Sequence, residues 1–220
     1  MGQRIITPAT PNLPLGTEQY ERRYQDQYSN VLRLYFNQMK NALSLLFGTR
    51  GGKYLEFPYA AIQRTTDKTF TSNTATEITF DQNDFLSGCS NNTTDGITVE
   101  QAGIYNYQFS IQFANTDSQA HTAWVWLRIN GVDVPGTGSK WDIPSKHGSS
   151  DGYMIAAANF YVQLKAGDAV SLYAAVAQAY VPATTPGVYM EAYTAQTSPF
   201  AAPAIPSVVA TLSFVSTPPA

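Results

Sequence analysis

The sequence predicts a mainly β chain, an antiparallel jelly-roll sandwich preceded by an extended N-terminal arm and one long α-helix. Three observations carry this prediction. Residues 104–114 alternate without a break, with Tyr105, Tyr107, Phe109, Ile111 and Phe113 on one face and Asn106, Gln108, Ser110 and Gln112 on the other, which is the period of a half-buried strand. Asn130-Gly131 separates two alternating runs, and this dipeptide accepts the positive φ of a two-residue hairpin turn. From residue 54 onward strand signals recur between Gly, Pro and Asn clusters, eight or more in all, as a sandwich requires.

The first 16 residues read as an arm. Pro8, Pro11 and Pro14 recur every third residue; each holds φ near −65° and removes a backbone donor, so the chain runs extended. Pro8, Pro11, Leu13 and Pro14 are the candidate contacts of this arm with the surface of a partner.

Residues 17–47 have the spacing of a helix, about 45 Å long at 1.5 Å per residue. Thr17 suits the N-cap, Glu18 and Glu21 suit the positive end of the dipole, and Gly48 suits the C-terminal stop. Tyr24, Tyr28, Val31, Tyr35, Met39, Ala42 and Leu46 form one stripe. Leu32, Leu34, Phe36, Leu43, Leu45 and Phe47 widen the apolar surface beyond a single seam, so the helix needs cover on more than one side. Its own β-domain and another subunit both remain open as that cover. Tyr24, Tyr28, Val31, Tyr35 and Met39 are the candidate interface residues.

The remaining strands follow in order. Residues 121–130 place Ala123, Val125, Leu127 and Ile129 on one face and Trp124, Trp126 and Arg128 on the other, and Val132 and Val134 begin the returning strand. Residues 153–164 place Met154, Ala156, Ala158, Phe160, Val162 and Leu164 inward. Val170, Leu172, Ala174 and Val176 continue after the turn at 165–168, and 208–215 closes the sheet. Weaker strands are expected at 57–65, 76–81, 95–99 and 188–194. Residues 196–207, rich in Pro and Ala, read as an extended connection; 87–96, 136–152 and 180–187 read as loops. The domain division is therefore 1–16, 17–53 and 54–220. Trp124 and Trp126 point to the side away from the apolar face, and Trp anchors interfaces, so both are candidate partner-contact residues.

Three stretches carry a resemblance: Gly103-Ile104-Tyr105-Asn106-Tyr107-Gln108-Phe109-Ser110, Leu127-Arg128-Ile129-Asn130-Gly131-Val132 and Leu164-Lys165-Ala166-Gly167-Asp168-Ala169-Val170-Ser171-Leu172. In order and spacing they resemble the globular-head jelly rolls of the complement and tumour-necrosis-factor superfamily, which implies a trimer. Pro8-Ala9-Thr10-Pro11-Asn12-Leu13-Pro14-Leu15, the segment from Tyr24 to Asn37 and Pro203-Ala204-Ile205-Pro206-Ser207-Val208 resemble virion structural proteins of tailed, cyanophage-like phages. The flanks imply a virion component assembled in the host cytoplasm, with the major capsid protein or another virion protein as partner.

Composition restricts the alternatives. Charged residues are 13% of 220, with net charge −3, against about 25% in a typical soluble domain. The 13 basic residues are scattered apart from Arg22–Arg23, which does not match a nucleic-acid footprint. No run approaches the ~20 apolar residues of a membrane span, and the N-terminus has no apolar signal region. Cys89 is the single cysteine, so no intrachain disulfide forms. His121 and His147 read as surface residues without partners at metal-ligand spacing. Asp81, Asp84, Asp95, Asp117 and Asp151 form no calcium-loop pattern. No nucleophile elbow or phosphate loop is present. The expectation is a non-enzyme with no cofactor and no metal: a trimeric capsid cement or decoration protein, or alternatively a tail or head-fibre protein that binds a host receptor.

Overall fold

The computed structural model describes residues 8–15, 19, 21–47, 57–92 and 96–216. The chain divides into two compact units, Met1–Glu56 and Phe57–Ala220.

In the first unit the described arm, residues 8–15, has no regular secondary structure. Helix α1 runs Arg22–Phe47, 26 residues, or about 39 Å. It starts later than the expected Thr17, because Glu21 takes the cap position: Gln25 N–H donates to the Glu21 carbonyl at 3.2 Å. Thr17, Glu18 and Gly48 lie outside the described residues. The arm is tied to the first turn of the helix, where the Tyr24 hydroxyl donates to the Pro14 carbonyl at 3.2 Å.

The second unit is the sandwich. Its strands are β1 (Tyr59–Arg64), β2 (Thr76–Ile78), β3 (Gln82–Ser87), β4 (Cys89–Asn92), β5 (Gly96–Val99), β6 (Gly103–Asn115), β7 (His121–Ile129), β8 (Val132–Asp133), β9 (Ser139–Ile143), β10 (Gly152–Leu164), β11 (Ala169–Val176), β12 (Val188–Met190) and β13 (Val208–Ser216). The first sheet has the order β10-β6-β13-β1-β3, with β12 on β6. The second has the order β4-β5-β11-β7-β8, with β2 on β11 and β9 on β7. All pairings between these strands are antiparallel, and four of them nest: β1 with β13, β5 with β11, β6 with β10 and β7 with β9. That is one long hairpin. Pairing β6 with β13 and β7 with β11 rolls it up into two facing sheets.

The alternation seen in the sequence builds the core. Tyr105, Tyr107, Ile111 and Phe113 from β6 are at most 1% exposed, and so are Val125 and Leu127 from β7 and Val170 and Leu172 from β11. Burying each such side chain contributes about 1.5–3 kcal/mol.

The stretches that carry the superfamily resemblance prove to be fastenings of this roll. Asn130 (φ 51°) and Gly131 (φ 79°) turn the β7–β8 hairpin, as the positive φ of a type I′ turn demands. The Asn130 side chain then reaches the β10–β11 turn: its Nδ2 donates to Asp168 Oδ1 and its Oδ1 accepts from Ala169 N–H, both at 2.9 Å. Asp168 Oδ2 accepts from Lys165 N–H at 2.7 Å. At the start of β6, a methyl group on Gly103 would lie 2.4 Å from the Phe214 ring, so any larger residue there would have to push that ring aside.

Three groups of sequence expectations need correction. Strands β3, β4 and β9 fall where no strand or only loops were expected. β3 and β4 are polar, and a bulge between Ala61 and Ile62 breaks the regular register of β3 on β1; the five residues of β9 lie inside the expected loop 136–152. Residues 196–207 are not a simple extended crossover. They run out and back, pairing Tyr193 with Ile205 and Gln196 with Ala202. His121 is not a surface residue: its side chain is 15% exposed and its Nε2 lies 2.8 Å from Asp117 Oδ2. His147, in contrast, is exposed.

Candidate functional site

Two outer sheet faces differ sharply in chemistry. On the first sheet, Gln108 and Ser110 from β6, Thr211 and Ser213 from β13, and Asn159 from β10, with the small Ala157 among them, form a mainly polar but uncharged middle, placed outward by the register. Large apolar side chains flank it: Tyr153 (54% exposed), Ile155 (58%) and Tyr161 (66%) on β10, and Tyr59 and Phe85 on β1 and β3. Among the described residues that point outward from the strands of this sheet, Asp84 alone is charged. It sits at the β3 bulge, accepting from Gln63 Nε2 at 2.8 Å and Gln82 Nε2 at 3.0 Å.

The second sheet presents the expected Trp124 and Trp126, and register supplies their neighbours. Trp126 stands opposite Tyr173, Arg128 opposite Ser171, and Trp124 between Ala175 on β11 and Lys140 on β9. Trp126 Nε1 and Arg128 Nε both donate to Asp133 Oδ1 at 2.6 Å. These bonds, from Arg128 first and Trp126 second, hold the Asp133 carboxyl below the usual carboxylate range. The Arg128 guanidinium lies 4.0 Å from the centre of the Tyr173 ring, a cation–π contact that fixes the cation on the sheet. Trp126 is thus bound into its own face, whereas Trp124 is 50% exposed. Trp124 borders a shallow, open depression of about 440 Å³, lined also by Trp126, Asp133, Gly136, Gly138 and Ala175.

The other sequence candidates lie in the first unit. Tyr24, Tyr28, Val31, Tyr35 and Met39 share one stripe of α1 and are half-buried, with the Tyr24 and Tyr28 rings stacked at 6.2 Å. Leu34 and Phe36, off that stripe, are exposed. Pro8, Pro11 and Pro14 are half-buried and Leu13 is exposed. The helix and arm candidates and the tryptophans therefore belong to separate units. Tyr153, Ile155 and Tyr161 were legible in the same alternation that placed Met154, Ala156 and Phe160 inward; their exposure was not. Tyr173 and Asp133 join the tryptophans through pairing, which the local pattern does not express.

Among the described residues no three His, Cys, Asp or Glu side chains converge on a point that would hold a metal, and no helix is long and apolar enough to cross a membrane. Asp95 lies outside the described residues.

Fold and surface together define a jelly-roll sandwich with one uncharged outer face and one aromatic, ion-paired outer face. No protein-family model matches the chain, and no curated protein matches it. Among solved structures the chain is similar to one titled "Structure of Eiger TNF from S. frugiperda", with 10% sequence identity over 75% of this chain and 96% of that chain, and a TM-score of 0.48.

Proposed function

We propose that the chain is a virion structural protein, a homotrimeric jelly-roll subunit that acts as a cement or decoration protein on a phage shell. The uncharged outer face of the first sheet carries this reading. Identical copies that meet through identical charges repel; a face with only Asp84 at its margin imposes no such cost. Five strands about 4.8 Å apart and some nine residues long span roughly 24 by 30 Å, or about 700 Å². That is close to the ~800 Å² each partner contributes to a standard stable interface. The arm and helix, with their resemblance to virion proteins, supply the attachment to the major capsid protein, and the resemblance of the three β-domain stretches supplies the number three. A cement protein of this kind stabilises the shell by mass action, because it binds only the assembled surface.

The test is the mass in solution of the full chain by light scattering, alongside the Ile155→Asp/Tyr161→Asp double variant. The wild type is expected to be a trimer and the variant a monomer with an unchanged β-sheet circular dichroism spectrum. A monomeric wild type overturns the self-association, and a variant that remains trimeric overturns its assignment to this face. In purified particles, a near-equimolar ratio to the major capsid protein supports the shell position. A second reading, a tail or head-fibre protein that binds a host surface, is favoured by the open Trp124 depression; a ratio of a few per cent or less would select it.

A further inference from the structure

We infer that the outer face of the second sheet is a binding platform for a neutral saccharide, with Trp124 as the stacking surface. The inference goes beyond the assembly role and rests on a different sheet.

The geometry excludes the competing ligand classes one by one. A cation would seek ring faces in a cage, but the Arg128 guanidinium already lies 4.0 Å from the centre of the Tyr173 ring and 5.9 Å from that of Trp126. What remains is one open indole plane, which is no cage. An anion would meet the Asp133 carboxylate, and the nearby Lys140 ammonium is drawn to Asp142 at 3.7 Å. A protein side chain used as an anchor fills a closed, desolvated pocket, whereas this depression is shallow and open.

A pyranose ring fits what is left. It has an apolar face of C–H groups and an equatorial rim of hydroxyls. Trp124 supplies the matching plane, 50% exposed, and it stays bare because its cross-strand neighbour on β11 is Ala175. Val134, Pro135, Gly136 and Gly138 also line the depression, the two glycines without side chains. Asp133 spends Oδ1 on Trp126 and Arg128, and among the described residues its Oδ2 has no partner, so it is free to accept from sugar hydroxyls. Only the Trp124 plane is open, so the platform stacks one sugar ring, and the open sides of the depression leave room for a chain of sugars to continue past it. The depression, about 440 Å³, is near the lower end of the ~300–1,000 Å³ of ligand sites. A shallow site of this kind binds weakly, on the order of millimolar, and gains useful strength only where several copies act together.

The experiment uses the full-length protein and four hexasaccharide probes: chitohexaose, cellohexaose, maltohexaose and a heparin-derived hexasaccharide. Binding is followed by the indole N–H signals in ¹H–¹⁵N NMR spectra. At least one neutral probe is expected to move the Trp124 signal. Trp124→Ala should weaken that binding about tenfold or more, given what an aromatic contact contributes. Ala175→Leu, which fills the depression, should weaken it similarly. Both positions face outward, so the urea midpoint and circular dichroism should be unchanged. Four outcomes overturn the proposal: no shift with any neutral probe, unchanged binding in Trp124→Ala, binding of the heparin probe alone, or a fall in oligomer mass in Trp124→Ala. The last would make this face a subunit contact. Failure of the trimer reading is seen separately, as a monomeric wild type.

Discussion

Replacing Asn130 with Ala tests whether the side-chain link between the two hairpins holds the roll together. Asn130 sits at φ 51°, a left-handed conformation that Asn tolerates because its short polar side chain hydrogen-bonds locally, whereas alanine, with the same Cβ and no such group, costs roughly 1–2 kcal/mol there. Its amide also makes two side-chain hydrogen bonds to the 165–169 turn, each 2.9 Å long. Such bonds contribute about 0.5–1.5 kcal/mol each, and these, being exposed, lie at the low end. The loss is then about 2–3 kcal/mol, or roughly 5–10 °C in melting temperature for a domain of this size. Asn130→Gly separates the two causes: it tolerates the turn and loses only the bonds, so it should cost about 1 kcal/mol, less than half the alanine effect. The assay is urea denaturation of the full chain at fixed protein concentration, followed by tryptophan fluorescence. An Asn130→Ala variant within about 0.5 kcal/mol of wild type, or a glycine variant less stable than the alanine one, would refute the reasoning.

Two further outcomes follow from buried or paired groups. The Cys89 thiol, pushed up to about 11 chiefly by burial and secondarily by Glu100, holds little thiolate at pH 8. Iodoacetamide should therefore label it at least tenfold more slowly in the native protein than in 6 M guanidinium; equal rates would show that the β4 edge opens freely. The Asp117 carboxyl is held below its usual range, first by the bond with His121, with help from the Ser118 and Gln119 amides. A depressed folded-state value means this contribution is complete above the unfolded value of about 3.9 and is lost as pH falls through the folded one. Asp117→Asn should be less stable than wild type at pH 7, with the gap in urea midpoint narrowing below about pH 4; a gap that stays constant to pH 3 would refute this assignment.

Much of the sandwich was legible because strand alternation is local. Residues 104–114, 121–130, 153–164 and 208–215 each alternate strongly enough to be assigned alone, and β6, β7, β10 and β13 occupy nearly those ranges. Asn130-Gly131 was legible for the same reason, since the turn needs only its own two residues. The polar strand β3 was not, because it is a strand only through its pairing with β1. The helix start was misplaced because composition suits a helix from Thr17 onward, whereas the helix begins at Arg22, with the Glu21 carbonyl accepting from Gln25 N–H. For the candidate site, Trp124 and Trp126 were legible as an outward pair, but the difference between them was not. Trp126 is bound in by Asp133 and Tyr173, while Trp124 faces Ala175 and stays open.

The amino-acid sequence by itself determined the β class, the low charge, the arm and helix, and which residues of each strong strand face inward, because these depend on neighbours within a few positions. The tertiary structure alone decided which strands pair. Joining β1 to β13 closes a loop of more than a hundred residues, and only the burial of both inner faces together offsets that entropy. The same pairing gathered the outward-facing residues into one uncharged face and one aromatic face, a partition that no single strand encodes.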